Sequence, residues 1–294
     1  MANEAIAART VAPVIDTPAR RSWRKFRTHR SAILGAIIVG AFLLVALLAP
    51  LLPLLDPAAT DWAAVRQAPS AAHPLGTDEI GRDVLSRMIW GARASVLAGI
   101  VSVGIAILLG VPLGVLAGYF GGWTDIVISR CTEALLAVPF LILAIALAAF
   151  LGPSLTNAMI AIGISATPIF VRLTRGQVIN IRAEDYVEGA HAIGLSTPRI
   201  LARYILPNAM PPVLVQATLT VAAAIIAEAS LSFLGLGVQP PLPSWGLMIS
   251  EAKAYMFFSF WLIAIPGSAL ALLIFAINLA GDGLHQLLTP EERA

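Results

Sequence analysis

Nucleophiles, metal ligands and proton-relay groups are scarce in this chain. Its single cysteine, Cys131, permits neither an intrachain disulfide nor a zinc cluster of paired cysteines. His29, His73, His191 and His285 fall at no ligand spacing, so no metal site is legible. No G-x-x-x-x-G-K-[ST] phosphate loop is present, and the only lysines, Lys25 and Lys253, are not placed to hold a nucleotide. The chain is therefore expected to bind no cofactor and to be no enzyme. One carboxylate, Glu228, interrupts an otherwise charge-free run at 210–233. A carboxylate in such a run must find water or a partner: Glu228 either lines a translocation path, or it snorkels or caps a packing contact.

The densest local signals lie between 182 and 207. Glu184 and Asp185 are acidic residues at a helix start, and Gly194 suits the left-handed position just past a helix end. Thr197-Pro198 reads as an N-cap followed by proline at the first helical position, and Pro207 is expected to end the second helix. The segment spells a short helix, a sharp turn and another helix. Gly189, Ala190 and Ala192 give the first helix side chains too small to build a core of their own. A smooth face of that kind suits insertion into a partner's groove; the bland alternative is a solvated connector.

Such a loop needs elements to hold it, and the composition says what solvent they live in. Of 294 residues, 58% are apolar and 12% charged, against about 45–50% and about 25% in soluble domains. A water-soluble globule is excluded. A net charge of +2 offers no basic footprint for nucleic acid. Because ~30 Å of hydrocarbon needs about 20 apolar helical residues, charge-free intervals mark the spans. They fall at 32–55, at 94–124 ending near Tyr119, within 134–171 as a hairpin split at Leu151-Gly152-Pro153-Ser154, at 210–233, and at 254–281. The expected class is an all-α polytopic membrane protein with six transmembrane helices. The first apolar run is too long for a cleavable signal, so it is read as a retained span.

With the N-terminus inside, inner segments hold 14 Lys and Arg against five in outer ones. This bias places both termini in the cytoplasm. The expected organisation is a basic cytoplasmic tail or interfacial helix at 1–31, the first span at 32–55, an extracytoplasmic loop at 56–93, a five-helix core at 94–281 with its cytoplasmic loop at 172–210, and a cytoplasmic tail at 282–294. In the outer loop, Thr77 is expected to cap an interfacial helix with Ile80, Val84, Leu85, Met88 and Ile89 on one face. Its i,i+4 pairs Asp78–Arg82 and Asp83–Arg87 would lie on the other, with the arginines hydrated. Gly110, Gly114 and Gly118 repeat at GxxxG spacing, a seam for close helix approach either within the chain or to a partner subunit.

Glu188-Gly189-Ala190, then Gly194, then Leu206-Pro207 resemble the EAA loop of ABC-importer permeases, with Gly189 for its first alanine and Tyr204 for its isoleucine. The resemblance continues in Leu75-Gly76-Thr77-Asp78 with Gly81-Arg82-Asp83, and in 229–237 leading into Pro240-Pro241, Pro243 and Trp245-Gly246. Together these residues are similar to the dipeptide/oligopeptide branch over about 30–290. The resemblance implies the type I ABC importer permease fold in a bacterial inner membrane. It also implies a second homologous permease subunit, two cytoplasmic ATP-binding subunits that carry ATP and magnesium, and an extracytoplasmic solute-binding protein. Glu188, Gly189, Ala190, Gly194, Leu206 and Pro207 then hold the ATPase-coupling positions. Two rivals remain. A proton-coupled secondary transporter would work alone and usually shows several ionisable residues in its spans. An intramembrane enzyme would need paired catalytic groups at depth, and the spans offer none.

Overall fold

A computed structural model describes residues 30–288, so the basic segment at 20–27 and the last six residues lie outside the described part. The helices are α1 (Arg30–Leu48), α2 (Val84–Phe120), α3 (Gly122–Leu136), α4 (Phe140–Leu151), α5 (Leu155–Arg182), α6 (Asp185–Ala192), α7 (Thr197–Ile200), α8 (Leu206–Phe233), α9 (Trp245–Ala252) and α10 (Trp261–Leu288). The one β contact among the described residues is an isolated bridge from Thr77 to Asp83. Five helices are long and apolar enough to cross a membrane, and α3 with α4, bent by 92°, makes a sixth span if the pair counts as one.

The centre of the bundle is α2 against α5, with α8 packed on both. The small-residue seam of α2 explains the intimacy. A Cβ on Gly110 would sit 2.6 Å from the Phe170 Cβ, one on Gly114 2.7 Å from the Thr174 Cβ, and one on Gly118 2.8 Å from the Arg175 carbonyl oxygen. Without side chains there, the two backbones close up and gain dispersion contact that burial from lipid alone would not supply. The seam is thus internal to the chain. A second apolar cluster, with Val84, Trp245, Leu262 and Leu273, joins α2, α9 and α10, and α1 packs on α10.

The 151–154 turn splits its apolar stretch as expected: Gly152 has φ +90° and Ser154 accepts from the Asn157 N–H to cap α5. Three other expectations are corrected. The stretch before that turn is not one straight span, because helix stops at Leu136 and restarts after Pro139, whose ring and missing N–H fit a break. The outer interfacial helix does not form. Residues 77–83 are a loop turned by Gly81 at φ +82°, Asp83 caps α2 by accepting from the Ser86 N–H, and the expected apolar face from Val84 onward belongs to the 37-residue α2. Pro207 does not end a helix either. The chain runs from Thr197 to Phe233 through a π-helical turn at Leu201–Ile205, in which the Leu206 N–H donates to the Leu201 carbonyl. That wider turn gives the proline ring room and absorbs its missing donor.

Candidate functional site

At one end of the bundle, α5 passes into α6 and α6 turns back into α7 and α8. The 185–195 segment is closed by a Schellman motif: Leu195 N–H donates to the Ala190 carbonyl at 3.2 Å and Gly194 N–H to the His191 carbonyl at 2.9 Å. Gly194 stands at φ +76°, the left-handed conformation that this motif requires. The second cap is shifted by one residue from the expectation, with Ser196 at the N-cap and Thr197 first in the helix.

The six loop residues divide by burial. Ala190 is 4% exposed and joins Val187, Ile200, Ile205, Val178 and Tyr119 in a small core that fastens the loop to α2 and α5. Glu188, Gly189 and Gly194 are exposed, as are Leu206 and Pro207 where α8 begins. Ile193 beside them is 75% exposed. A Cβ on Gly189 or Gly194 would meet no atom within 4 Å, so the face is smooth and open. Side-chain ties steady it from behind. Asn208 Nδ2 donates to the Tyr186 hydroxyl at 3.3 Å and to the Tyr204 carbonyl at 2.6 Å. The His191 ring stacks on Tyr119, whose carbonyl accepts from Arg182 Nη1 at 2.7 Å. A rigid, short, partly acidic helix is held out from the bundle with its own core beneath it.

Glu228 belongs to neither this loop nor an open surface. It lies 22 residues along α8 from Leu206, roughly 33 Å at 1.5 Å per residue, and is 0% exposed. Ser232 Oγ donates to its Oε1 at 2.7 Å and Ser95 Oγ to its Oε2 at 3.3 Å. Ser232 Oγ in turn accepts from the Val238 N–H at 3.0 Å. The carboxylate therefore ties α2, α8 and the 234–243 loop together at the end opposite the 182–207 segment.

That end also holds a cluster that periodicity did not reveal. Arg82 and Arg87 are buried, not hydrated. Arg82 pairs with Asp78 as expected (2.5 Å), and also with Glu79 (2.7 Å) and Glu251 (2.9 Å). Arg87 turns away from Asp83 and reaches Glu251 at 2.9 Å and Asp78 at 3.4 Å, while Asp83 meets His73 Nδ1 at 2.9 Å. Asp78, Glu79 and Glu251 come close enough together to hold a metal, but the two guanidiniums already occupy the space between them. Burial, then the neighbouring Asp78, pushes the Glu79 carboxyl above the usual carboxylate range. Glu251 lies 164 residues from Arg87, a separation at which sequence periodicity carries no signal.

Residues 110–294 match the family described as "Binding-protein-dependent transport system inner membrane component", and 17–69 match the "N-terminal TM domain of oligopeptide transport permease C". A dipeptide transport system permease protein DppC of Alkalihalophilus pseudofirmus is 42% identical over 278 residues, covering 95% of this chain and 91% of that one. A probable D,D-dipeptide transport system permease protein DdpC of Escherichia coli is 44% identical over 88% of this chain and 87% of its own length. A glutathione transport system permease protein GsiD of Pectobacterium atrosepticum is 38% identical over 94% and 92%. Among solved structures, the MetNI methionine ABC transporter in an inward-facing conformation aligns with 70% of this chain and 98% of its own. The TM-score is 0.57 and the identity 19%, a likeness of fold.

Proposed function

This chain belongs to the binding-protein-dependent transport system inner membrane components; it is a permease of an ABC importer and not a secondary transporter, and we propose how it is driven. It forms half of a translocation pathway completed by a second, homologous permease. Two cytoplasmic ATP-binding subunits hold α6 in a cleft, and an extracytoplasmic binding protein delivers the solute. ATP and magnesium act on the partners, because this chain lacks a phosphate loop. Both termini and the 172–210 loop lie in the cytoplasm in this reading, which the 14-to-5 charge bias supports.

One observation carries this reading. The α6 helix and its C-cap present exposed Glu188, Gly189 and Ile193 outward while Val187 and Ala190 anchor the helix to a core shared with α2, α5 and, through Ile200 and Ile205, the helical run that continues into α8. A push on that face is transmitted to three spanning helices as a rigid-body movement. Glu188, Gly189 and Gly194 are then the docking positions, Ala190 is the anchor, and Leu206 and Pro207 mark where the movement enters α8. Glu228 is read as a structural tie, because its carboxylate is closed inside the chain. The relatives named for dipeptides and glutathione favour a peptide or peptide-like solute.

Reconstitution in proteoliposomes tests this. The chain together with the second permease, the ATPases and a loaded binding protein should import solute with ATP, and omission of any one should abolish import. Uptake by the chain alone under a pH gradient would overturn the proposal.

A further inference from the structure

At the end opposite the coupling loop, a cavity of about 390 Å³ opens between α2, the start of α5 and the 234–243 loop. This falls within the ~300–1,000 Å³ of small-molecule sites. Its walls are mainly apolar, with Trp90, Leu97 and Val238 prominent, and its polar groups are Arg93, Gln239 and Ser154. Two of those three are already engaged. Gln239 Nε2 donates to the Gly235 and Gly237 carbonyls at 3.0 Å each, and the Ser154 hydroxyl caps α5. Arg93 differs from the arginines beside it. Arg82 and Arg87 are neutralised by carboxylates, whereas Arg93, among the described residues, meets no carboxylate and only overlies the Trp90 ring at 5.8 Å. Val238, which walls the cavity, is pinned from within by the Ser232–Glu228 pair, so the site has a fixed wall.

We propose that this cavity is a transient site for the carboxylate end of a peptide-sized solute. Arg93 is the counter-ion, and Trp90, Leu97 and Val238 seat the adjoining apolar side chain. The proposal rests on the permease reading above and adds where this chain first holds the solute. Arginine suits the task because its planar fork binds a carboxylate through two hydrogen bonds. An anionic lipid headgroup offers the same chemistry. The wall formed by a pinned loop favours the solute, and a separate crevice lined by Val39, Leu43 and Ile277, with Thr218 as its one polar side chain, has the character of a lipid-chain groove.

The test uses the assembled complex of both permeases and the ATPases in phosphatidylcholine nanodiscs without binding protein, since that protein would itself select the ligand. Saturation-transfer NMR is read for alanyl-phenylalanine and for its C-terminal amide. The expected result is transfer to the acid in the wild type, roughly tenfold weaker binding in Arg93→Gln as for loss of one charge-assisted contact, substantial retention in Arg93→Lys, and weak binding of the amide throughout. Arg93 is exposed, so both variants should assemble normally, as gel filtration would verify. No transfer in the wild type, equal transfer in Arg93→Gln, or equal binding of the amide would overturn the proposal. Loss of the wild-type signal on exchange into phosphatidylglycerol would assign the cavity to lipid and also overturn it. ATP-dependent import by the same wild-type complex is measured in parallel. Import without peptide binding sinks this site alone, whereas import without the ATPases sinks the permease reading itself.

Discussion

Gly194 is where backbone geometry and function meet most closely. At φ +76° a non-glycine residue costs about 1–2 kcal/mol, and a β-branched one more. No atom lies within 4 Å of a Cβ built there, so crowding adds nothing and the cost is conformational. Gly194→Val should therefore misaim α6 and lower binding-protein-stimulated ATP hydrolysis and uptake together, several-fold. Gly194→Asn, which tolerates the left-handed region, should retain most of both. Glu188→Ala leaves the backbone unstrained and should weaken coupling more mildly, because Glu188 is exposed and makes no ion pair among the described residues. Matched ATPase and uptake assays check all three. Equal activity of the valine and asparagine variants would show that the turn is not what aims the helix.

At the scale of elements, the sequence made some features plain and concealed others. The Schellman glycine, the 151–154 turn and the α2 seam rest on contacts within a few residues or on a repeat along one helix, and both leave a pattern in sequence. The outer loop did not. An i,i+4 pattern at Asp83–Arg87 suggested a hydrated helix face, but Gly76 and Gly81 at positive φ turn the chain first, and Arg87 finds Glu251 from a distant segment. Likewise Pro207 reads as a stop unless a π turn is foreseen. The cluster of Arg82, Arg87, Asp78, Glu79 and Glu251 fastens the 56–83 loop to α9. Removing Glu251 leaves two buried guanidiniums short of one carboxylate, so Glu251→Ala should cost roughly 2–3 kcal/mol, below the value for a wholly enclosed pair because Glu251 keeps some solvent access. A thermal melt of the detergent-solubilised protein reads this as a clear fall in Tm.

Glu79 adds a pH signature to the same cluster. Its native pKa is raised above 4.5, so the native state favours its protonated form. Its contribution is complete below the unfolded value and is lost as pH climbs through the raised native one. Between melts at and above pH 4.5, the Tm of wild type should therefore fall relative to that of Glu79→Gln, which has no such proton to lose. A gap that moves the other way would mean that Arg82 dominates the site.

For the whole molecule, the arrangement is two working ends joined by α2, α5 and α8. One end carries the smooth helix α6, and the other carries the ion cluster, the Glu228 tie and the Arg93 cavity. We propose from the charge bias that the α6 end faces the cytoplasm, and labelling checks it. With the exposed Cys131 replaced, single cysteines at the exposed Ser70 and Gln239 should react with an impermeant thiol reagent in intact cells, and one at Ser196 should not. Labelling at 196 from outside would invert the topology.

If ATP energy enters through the exposed face of α6, Gly189→Trp should block it. A Cβ built at the exposed Gly189 meets no atom within 4 Å in this chain, so the variant should fold, insert and pair with its partner permease normally. A cleft that receives α6 would have no room for an indole. The ATPases should then fail to co-purify with this variant, or bind without stimulation, and ATP-driven uptake should be lost while the permease pair remains intact. Full co-purification with undiminished stimulated ATP hydrolysis and uptake would contradict it.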